Sequence, residues 1–328
     1  MTLRLPSRAR WAVALGLAGA LALSACSTGN EEPDTGNGDE TSAGGEGGGD
    51  GDCVIGMTQI NQTAIFFTQM NEGAQEAADE LGCELIIANA NNDSARQSND
   101  IENFVTQGVD GIIVVAIDVN GVVPAVEAAQ AAGIPVVAID AQLDIAETFV
   151  GVDNTAAGKK AGEWMVENGL IEGRSYGVVG AKNSFIQNQR EDGFREVIDA
   201  AGATYTQTVN GENVQETAAE AAQDLVTAQP DLDFIYTTGE PATVGAVAAL
   251  DPAAKTKIIG WDLTKEVIGG IDSGLVEAVI QQDPRQEGVE AVKELKAILG
   301  GAEPKGFIDV PITIVTKDNV DDYREIFN

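Results

Sequence analysis

The chain has 328 residues and is strongly acidic: 52 Asp and Glu face 19 Lys and Arg, for a net charge of −33, and there is no His. That balance argues against nucleic acid as a partner, because phosphate binding needs clustered Lys and Arg. Without His the commonest general base and metal ligand is gone. No metal-spaced ligands, nucleophile elbow or phosphate loop replace it, so an enzyme, a metal and a cofactor are not expected.

Arg4, Arg8 and Arg10 open the chain, an apolar run from Trp11 to Leu23 follows, and Leu23-Ser24-Ala25-Cys26 closes it. A cationic start, a short apolar core and small residues at the cut are the layout of a secretory signal. The Cys after Leu-Ser-Ala resembles the bacterial lipobox, which implies that Cys26 is lipidated and holds the protein at the outer face of the cell membrane. Residues 27–52 contain nine Gly, eight Asp or Glu, no Lys or Arg and no large apolar side chain. Such a segment cannot bury enough surface to fold and reads as a solvated tether of roughly 25–30 Å. With Cys26 assigned to the anchor, Cys53 and Cys83 are left as an even pair outside the cytoplasm, where disulfides persist. Two buried free thiols are the alternative.

From residue 53 onward, strand-like runs alternate with helical patterns. Residues 54–58, 84–88, 111–115, 136–139 and 148–150 read as strands, and 68–81, 94–107 and 123–132 as helices. In the first helix Met70, Ala74, Ala77, Ala78 and Leu81 share one face. Gly82, Gly108 and Gly133 come where a left-handed cap is wanted. The unbroken run Ile112-Ile113-Val114-Val115 suits a parallel sheet covered on both faces. The rhythm repeats after residue 153, with strands at 176–179, 203–208, 234–237, 257–261 and 277–280. Helices are predicted at 156–168, 188–201, 214–228, 241–250, 265–273 and 284–299. The fold class is therefore α/β, as two doubly wound parallel-sheet lobes.

Ligands of such sheets bind beyond the carboxyl ends of the strands. Gln59, Asn61, Gln62, Phe66 and Phe67 follow the first strand, Asp118 the third and Asp140 the fourth. The second lobe adds Gln187, Asn188, Arg190, Glu240, Trp261, Asp262, Gln281, Gln282 and Asp283. This is the chemistry a sugar needs: aromatic faces for its C–H patches, and carboxylates, guanidinium and carboxamides for its hydroxyls. Plainer readings exist, with one of the two Phe in the core, Asp140 and Asp262 as helix caps, and Arg190 in a surface ion pair. Trp261, at a strand's exit beside Asp262, is the hardest to read as filler.

Residues 53–317 resemble the type I periplasmic sugar-binding proteins, in their ribose-binding branch. Phe66-Phe67 followed by Asn71-Glu72-Gly73-Ala74-Gln75 matches the family's first helix. Gly133-Ile134-Pro135-Val136-Val137-Ala138-Ile139-Asp140 matches the strand that ends in its sugar-binding aspartate. Arg190 with Asp192-Gly193-Phe194 matches the binding arginine and its helix, Ile259-Gly260-Trp261-Asp262 an aromatic–aspartate pair, and Gln282 the hinge glutamine. The resemblance implies a ligand set of Asn61, Phe66, Phe67, Asp140, Arg190, Asn213, Glu240, Trp261, Asp262 and Gln282, with Phe66 or Phe67 and Trp261 sandwiching the ring. It implies a monomer that captures a monosaccharide or sugar alcohol and delivers it to an ABC permease. Three hinge crossings near 151–153, 282–284 and 311–312 would divide the chain into lobes 53–152 plus 283–311 and 153–282 plus 312–328. It also makes the first two strands neighbours, which implies a Cys53–Cys83 disulfide. The family's Arg is Ala141 here, two of its Asn are Ala64 and Gly239, and a second-lobe Phe is Asn213. These departures favour the class over ribose itself. Alternatives on the same fold are a nucleoside or furanone ligand and a chemoreceptor's ligand sensor. A transcription regulator would need a basic helix-turn-helix where this chain has a signal and tether. A glycoside-active enzyme using paired acids is the least favoured.

Overall fold

The computed structural model describes residues 53–62, 65–182 and 184–327. The signal segment, Cys26, the tether and Ala64 lie outside the described residues. The first lobe carries β1 (Cys53–Gln59), α1 (Ile65–Leu81), β2 (Cys83–Asn89), α2 (Ser94–Gln107), β3 (Gly111–Val114), α3 (Val123–Ala131), β4 (Val136–Ile139) and β5 (Thr148–Gly151). The second carries α4 (Asn154–Glu167), β6 (Ser175–Gly180), α5 (Phe185–Ala200), β7 (Thr204–Asn210), α6 (Gln215–Ala228) and β8 (Phe234–Thr237). It continues with α7 (Glu240–Ala249), β9 (Lys257–Trp261), α8 (Lys265–Ser273) and β10 (Val276–Gln281). Then α9 (Pro284–Leu299) returns to the first lobe, followed by β11 (Gly306–Asp309) and β12 (Thr313–Val315).

The strands form two six-stranded sheets, ordered β11-β5-β4-β3-β1-β2 and β12-β10-β9-β8-β6-β7. All pairings are parallel except β12 against β10. Alternate residues feed the two faces of each sheet. Ile113, Val115, Val137 and Ile139 join the core under α1 and α9, while Ile112, Val114, Val136 and Ala138 join the core under α2 and α3. The second sheet divides in the same way, with Ile235, Ile258 and Val279 on one side and Tyr236, Ile259 and Ile280 on the other. Two buried faces per strand explain why these strands read as continuous apolar runs.

Cys53 and Cys83 are register partners on adjacent strands and are disulfide-bonded, with Cα atoms 4.4 Å apart. Closing this 30-residue separation contributes ~3–4 kcal/mol in the chain-entropy model.

Three helices begin two or three residues earlier than the sequence pattern predicts. α4 starts at Asn154 because Asp153 caps it, accepting from the Ala156 N–H at 2.9 Å, and Ser184 caps α5 likewise. α1 starts at Ile65, which puts Phe66 and Phe67 in its first turn. The strands β11 and β12 are not anticipated from the sequence. Both are short edge strands: β11 is mostly exposed, and β12, three residues long, is too short to show an apolar alternation.

Glycines set the spacing of two helix pairs. A Cβ on Gly73 would lie 2.0 Å from the Arg285 carbonyl oxygen, and one on Gly288 would lie 2.2 Å from that of Met70, so α1 and α9 touch backbone to backbone. In the second lobe Gly158 and Gly193 do the same for α4 and α5, with 2.2 Å to Arg190 O and 2.1 Å to Thr155 O. This contact fixes where α5 presents Arg190.

Candidate ligand-binding cleft

Arg190 leaves the second turn of α5 and lies buried at the carboxyl ends of the second sheet's strands. Its Nε donates to Asn154 Oδ1 at 2.8 Å, Nη1 to the Thr238 carbonyl at 3.2 Å and Nη2 to Gln282 Oε1 at 3.1 Å. Gln282 in turn donates from Nε2 to both carboxylate oxygens of Asp262, at 3.0 and 3.1 Å. A guanidinium, a carboxamide and a carboxylate are thus chained across the cleft floor with complementary donors and acceptors. Burial pulls Arg190 below its ordinary value while Asp262 and Asp140 oppose the shift; an arginine stays charged under such conditions. Burial raises Asp140 and Asp262, against the attraction of Arg190.

Trp261 corrects the expectation of a second stacking platform. Its ring is fully buried in the second lobe's core and donates from Nε1 to Tyr236 Oη at 2.8 Å. The Arg190 guanidinium lies 3.7 Å over the ring, a cation–π contact that occupies the face a sugar would need. Tyr236 stacks on Phe194 with centroids 3.8 Å apart. Phe194, Tyr236 and Trp261 therefore form an aromatic base that holds Arg190 in place.

The remaining predicted residues fall in different places. Phe66 and Phe67 meet edge to face at 5.4 Å, both half-buried against the first lobe's core, and Phe66 reaches a crevice between the lobes. That crevice, about 440 Å³ including its mouth, is lined by Phe66 and Gln69 on one side and Glu240, Asp262, Thr264 and Gln281 on the other. Asp140 is half-buried at the end of β4. Glu240 opens α7 at the crevice mouth. Although its side chain reaches solvent, partial burial and the nearby Asp262 and Glu266 push it up to about 7. Asn61 donates to Asn92 Oδ1 at 3.3 Å. Asn213 is exposed and takes a hydrogen bond from Gln187 Nε2 at 2.6 Å, and Gln187 accepts from Thr238 Oγ1 at 2.7 Å. It sits behind Arg190's Thr238 rather than beside the crevice. Gln59 and Gln281 serve the backbone: they accept from the Ile60 and Leu263 N–H groups. Asp283 caps α9.

Four participants are missed by the sequence reading. Asn154 and Thr238 hold Arg190, and Gln69 lines the crevice. Glu287 is fully buried in the first turn of α9. A signal for it exists, since Glu287, Ala291 and Leu295 recur every fourth residue on the buried face of that helix.

Two parallel α/β lobes with a polar, charge-networked crevice between them define a ligand-binding protein of the two-lobed periplasmic type. The periplasmic binding protein domain family matches residues 55–303, and the chain belongs to that family, whose members are binding proteins and not enzymes. The ribose import binding protein of Bacillus subtilis is 27% identical over 270 residues, covering 80% of this chain and 87% of that protein. A xylitol-binding protein of Mycolicibacterium smegmatis is 25% identical, covering 81% of this chain and 78% of that protein. Among solved structures, the arabinose-binding protein AraP of Geobacillus stearothermophilus superposes with a TM-score of 0.77 at 23% identity, covering 83% of this chain and 99% of its own. A sugar ABC transporter's sugar-binding protein from Bacillus halodurans gives 0.76 at 25% identity, covering 83% and 100%.

Proposed function

We propose that this protein is a lipid-anchored monomer that captures a monosaccharide or sugar alcohol in the crevice and hands it to an ABC permease. The observation that carries this reading is the Arg190–Gln282–Asp262 chain beside Phe66. It offers donors, acceptors and an aromatic edge to a ligand with hydroxyls on a carbon ring or chain. Relatives whose names specify ribose import and xylitol binding support the ligand class. The family goes with a place outside the cytoplasm, and there the lipobox-like Leu23-Ser24-Ala25-Cys26 supplies the anchor.

In this reading the chain changes lobe at 151–153, 282–284 and 311–312. The lobes are 53–152 plus 283–311 and 153–282 plus 312–328. Groups from both lobes then contact the ligand, so the ligand favours the closed arrangement. A thermal-shift screen against pentoses, hexoses, polyols and nucleosides tests the ligand class. A ligand at 100 times its Kd adds ~2.7 kcal/mol. Nucleosides alone stabilising the protein would overturn the sugar reading. The anchor is tested by Cys26→Ser, which releases the protein from membranes or leaves it unprocessed.

A further inference from the structure

Glu287 is wholly buried, and neither of its carboxyl oxygens has a hydrogen-bond partner. Buried polar groups in native proteins are paired, so an orphan calls for a partner brought from elsewhere. The same helix keeps that rule two turns further on. Glu294, equally buried, accepts from Thr148 Oγ1 at 2.9 Å and from the Lys305 backbone N–H at 2.8 Å, and pairs with Lys305 Nζ at 3.1 Å. Glu287 has no such set.

The charges that act on Glu287 are Asp140, Asp262 and Asp283, all of its own sign, and Arg190. Arg190 spends three of its five N–H donors on Asn154, Thr238 and Gln282, and none of its donors bonds to Glu287. The cleft floor therefore sets three carboxyl groups, Asp140, Asp262 and Glu287, against one guanidinium, with Glu240 adding a fourth at the mouth. Glu287 does not itself line the crevice, but Pro284, three residues ahead of it on α9, does, and the cleft groups Asp140, Asp262 and Arg190 lie close enough for their charges to act on it. Among the described residues no three acidic, Cys or His side chains converge closely enough to hold a metal ion. A bare metal cation therefore does not fit.

We propose that the ligand itself brings the missing cation: the crevice takes a polyhydroxylated amine, an amino sugar or amino polyol, whose ammonium group pairs with Glu287. This deepens the sugar-or-polyol reading and rests on it. An ammonium group carries three donors and a full positive charge, which matches two orphan oxygens amid like charges. A hydroxyl brings one donor and no charge. Burial, reinforced by the neighbouring carboxylates, holds the Glu287 carboxyl well above the usual carboxylate range, so it is protonated before the ligand arrives. On binding, the carboxyl gives its proton to solvent and the ammonium takes that place. Affinity for the amine therefore rises with pH until the amine itself deprotonates.

The test is calorimetry on the full chain with paired probes at pH 5, 6 and 7, where the amines keep their ammonium groups: D-glucosamine against D-glucose, D-galactosamine against D-galactose, and glucamine against sorbitol. The expected result is an amine bound at least tenfold more tightly than its neutral parent, with the gap widening as pH rises. Titration in buffers of different ionisation enthalpy should show about one proton released for the amine and none for the parent. Glu287→Gln, or Glu287→Met if that variant folds poorly, should shrink the gap to within about threefold. Neutral parents bound as tightly as their amines would overturn the inference and leave the polyol reading standing. A gap that survives both variants would overturn the role of Glu287. Binding of neither class would overturn both readings.

Discussion

Asp140 and Asp262 occupy equivalent positions in the two lobes. Each follows the fourth strand of its lobe, each has left-handed backbone, at φ 61° and 58°, and each donates its N–H at 3.0 Å to the next strand, to Val150 and Ile280. The internal repeat therefore delivers one carboxylate from each side of the cleft. That backbone conformation also constrains substitution.

A non-glycine residue without a polar side chain pays ~1–2 kcal/mol for left-handed backbone. Asp140→Ala and Asp140→Gly both remove the carboxylate, so their difference isolates the backbone cost. The alanine variant should be less stable than the glycine variant by about 1 kcal/mol, and the same holds for Asp262. Equal urea midpoints within each pair would contradict the strain assigned here.

Trp261 acts through Arg190 and the core. Trp261→Ala should destabilise the protein by ~3–5 kcal/mol, as large buried truncations do. Trp261→Phe keeps an aromatic face under the guanidinium while losing the bond to Tyr236, and should retain ligand binding within about tenfold. Wild-type stability in Trp261→Ala would show that the ring is not the buried support described above.

The helix-pair glycines should be intolerant of even one methyl group. Gly158→Ala forces a carbon into the space of the Arg190 carbonyl, and overpacking of this kind costs ~1–3 kcal/mol. Because α5 carries Arg190, Gly158→Ala and Gly193→Ala should also weaken ligand binding. Gly269→Ala, where a Cβ meets nothing within 4 Å, is the control: it should leave binding unchanged and, inside a helix, raise stability by up to ~1 kcal/mol.

The parts of this molecule most legible in the sequence are those governed by local rules. β4, β8 and β9 end where their apolar runs end, and α2, α8 and α9 span the predicted residues. Asp140, Arg190, Asp262 and Gln282 stand out as cleft candidates because each lies just past a strand or early in a helix. The edge strands are not legible, since the exposed residues of β11 carry no period and the three residues of β12 are too few to show one. The strand-exit position of Trp261 does not reveal which way its ring turns, and here it turns into the core. Glu287 was passed over because a glutamate in a helix is usually solvated. Only its spacing with Ala291 and Leu295 marked the buried face.

Stability should fall as pH rises from about 5 to 8. Glu240 is raised from 4.5 to about 7 by burial and by Asp262 and Glu266, and burial together with Asp140, Asp262 and Asp283 raises Glu287 further. A raised carboxyl binds its proton more tightly in the folded state. Its contribution is complete below the ordinary value and is lost as pH climbs through the folded one. Glu294 and Asp233, whose values are lowered, act only below that window. Urea midpoints at pH 5 and pH 8 should differ, and Glu240→Gln combined with Glu287→Gln should flatten the difference. An unchanged difference in the double variant would place its origin elsewhere.

In the proposed function Asp262, held by Gln282 and through it by Arg190, binds the ligand. Once the screen supplies a ligand, its Kd is measured by calorimetry for wild type and for Asp262→Ala with the fold checked by circular dichroism. Removing the carboxylate leaves Gln282 Nε2 without its acceptor and the ligand without a hydroxyl partner. Losing a charged hydrogen-bond partner in a buried site costs ~3 kcal/mol or more. The account predicts a Kd at least a hundredfold weaker in the variant; wild-type affinity in a folded Asp262→Ala protein would contradict it.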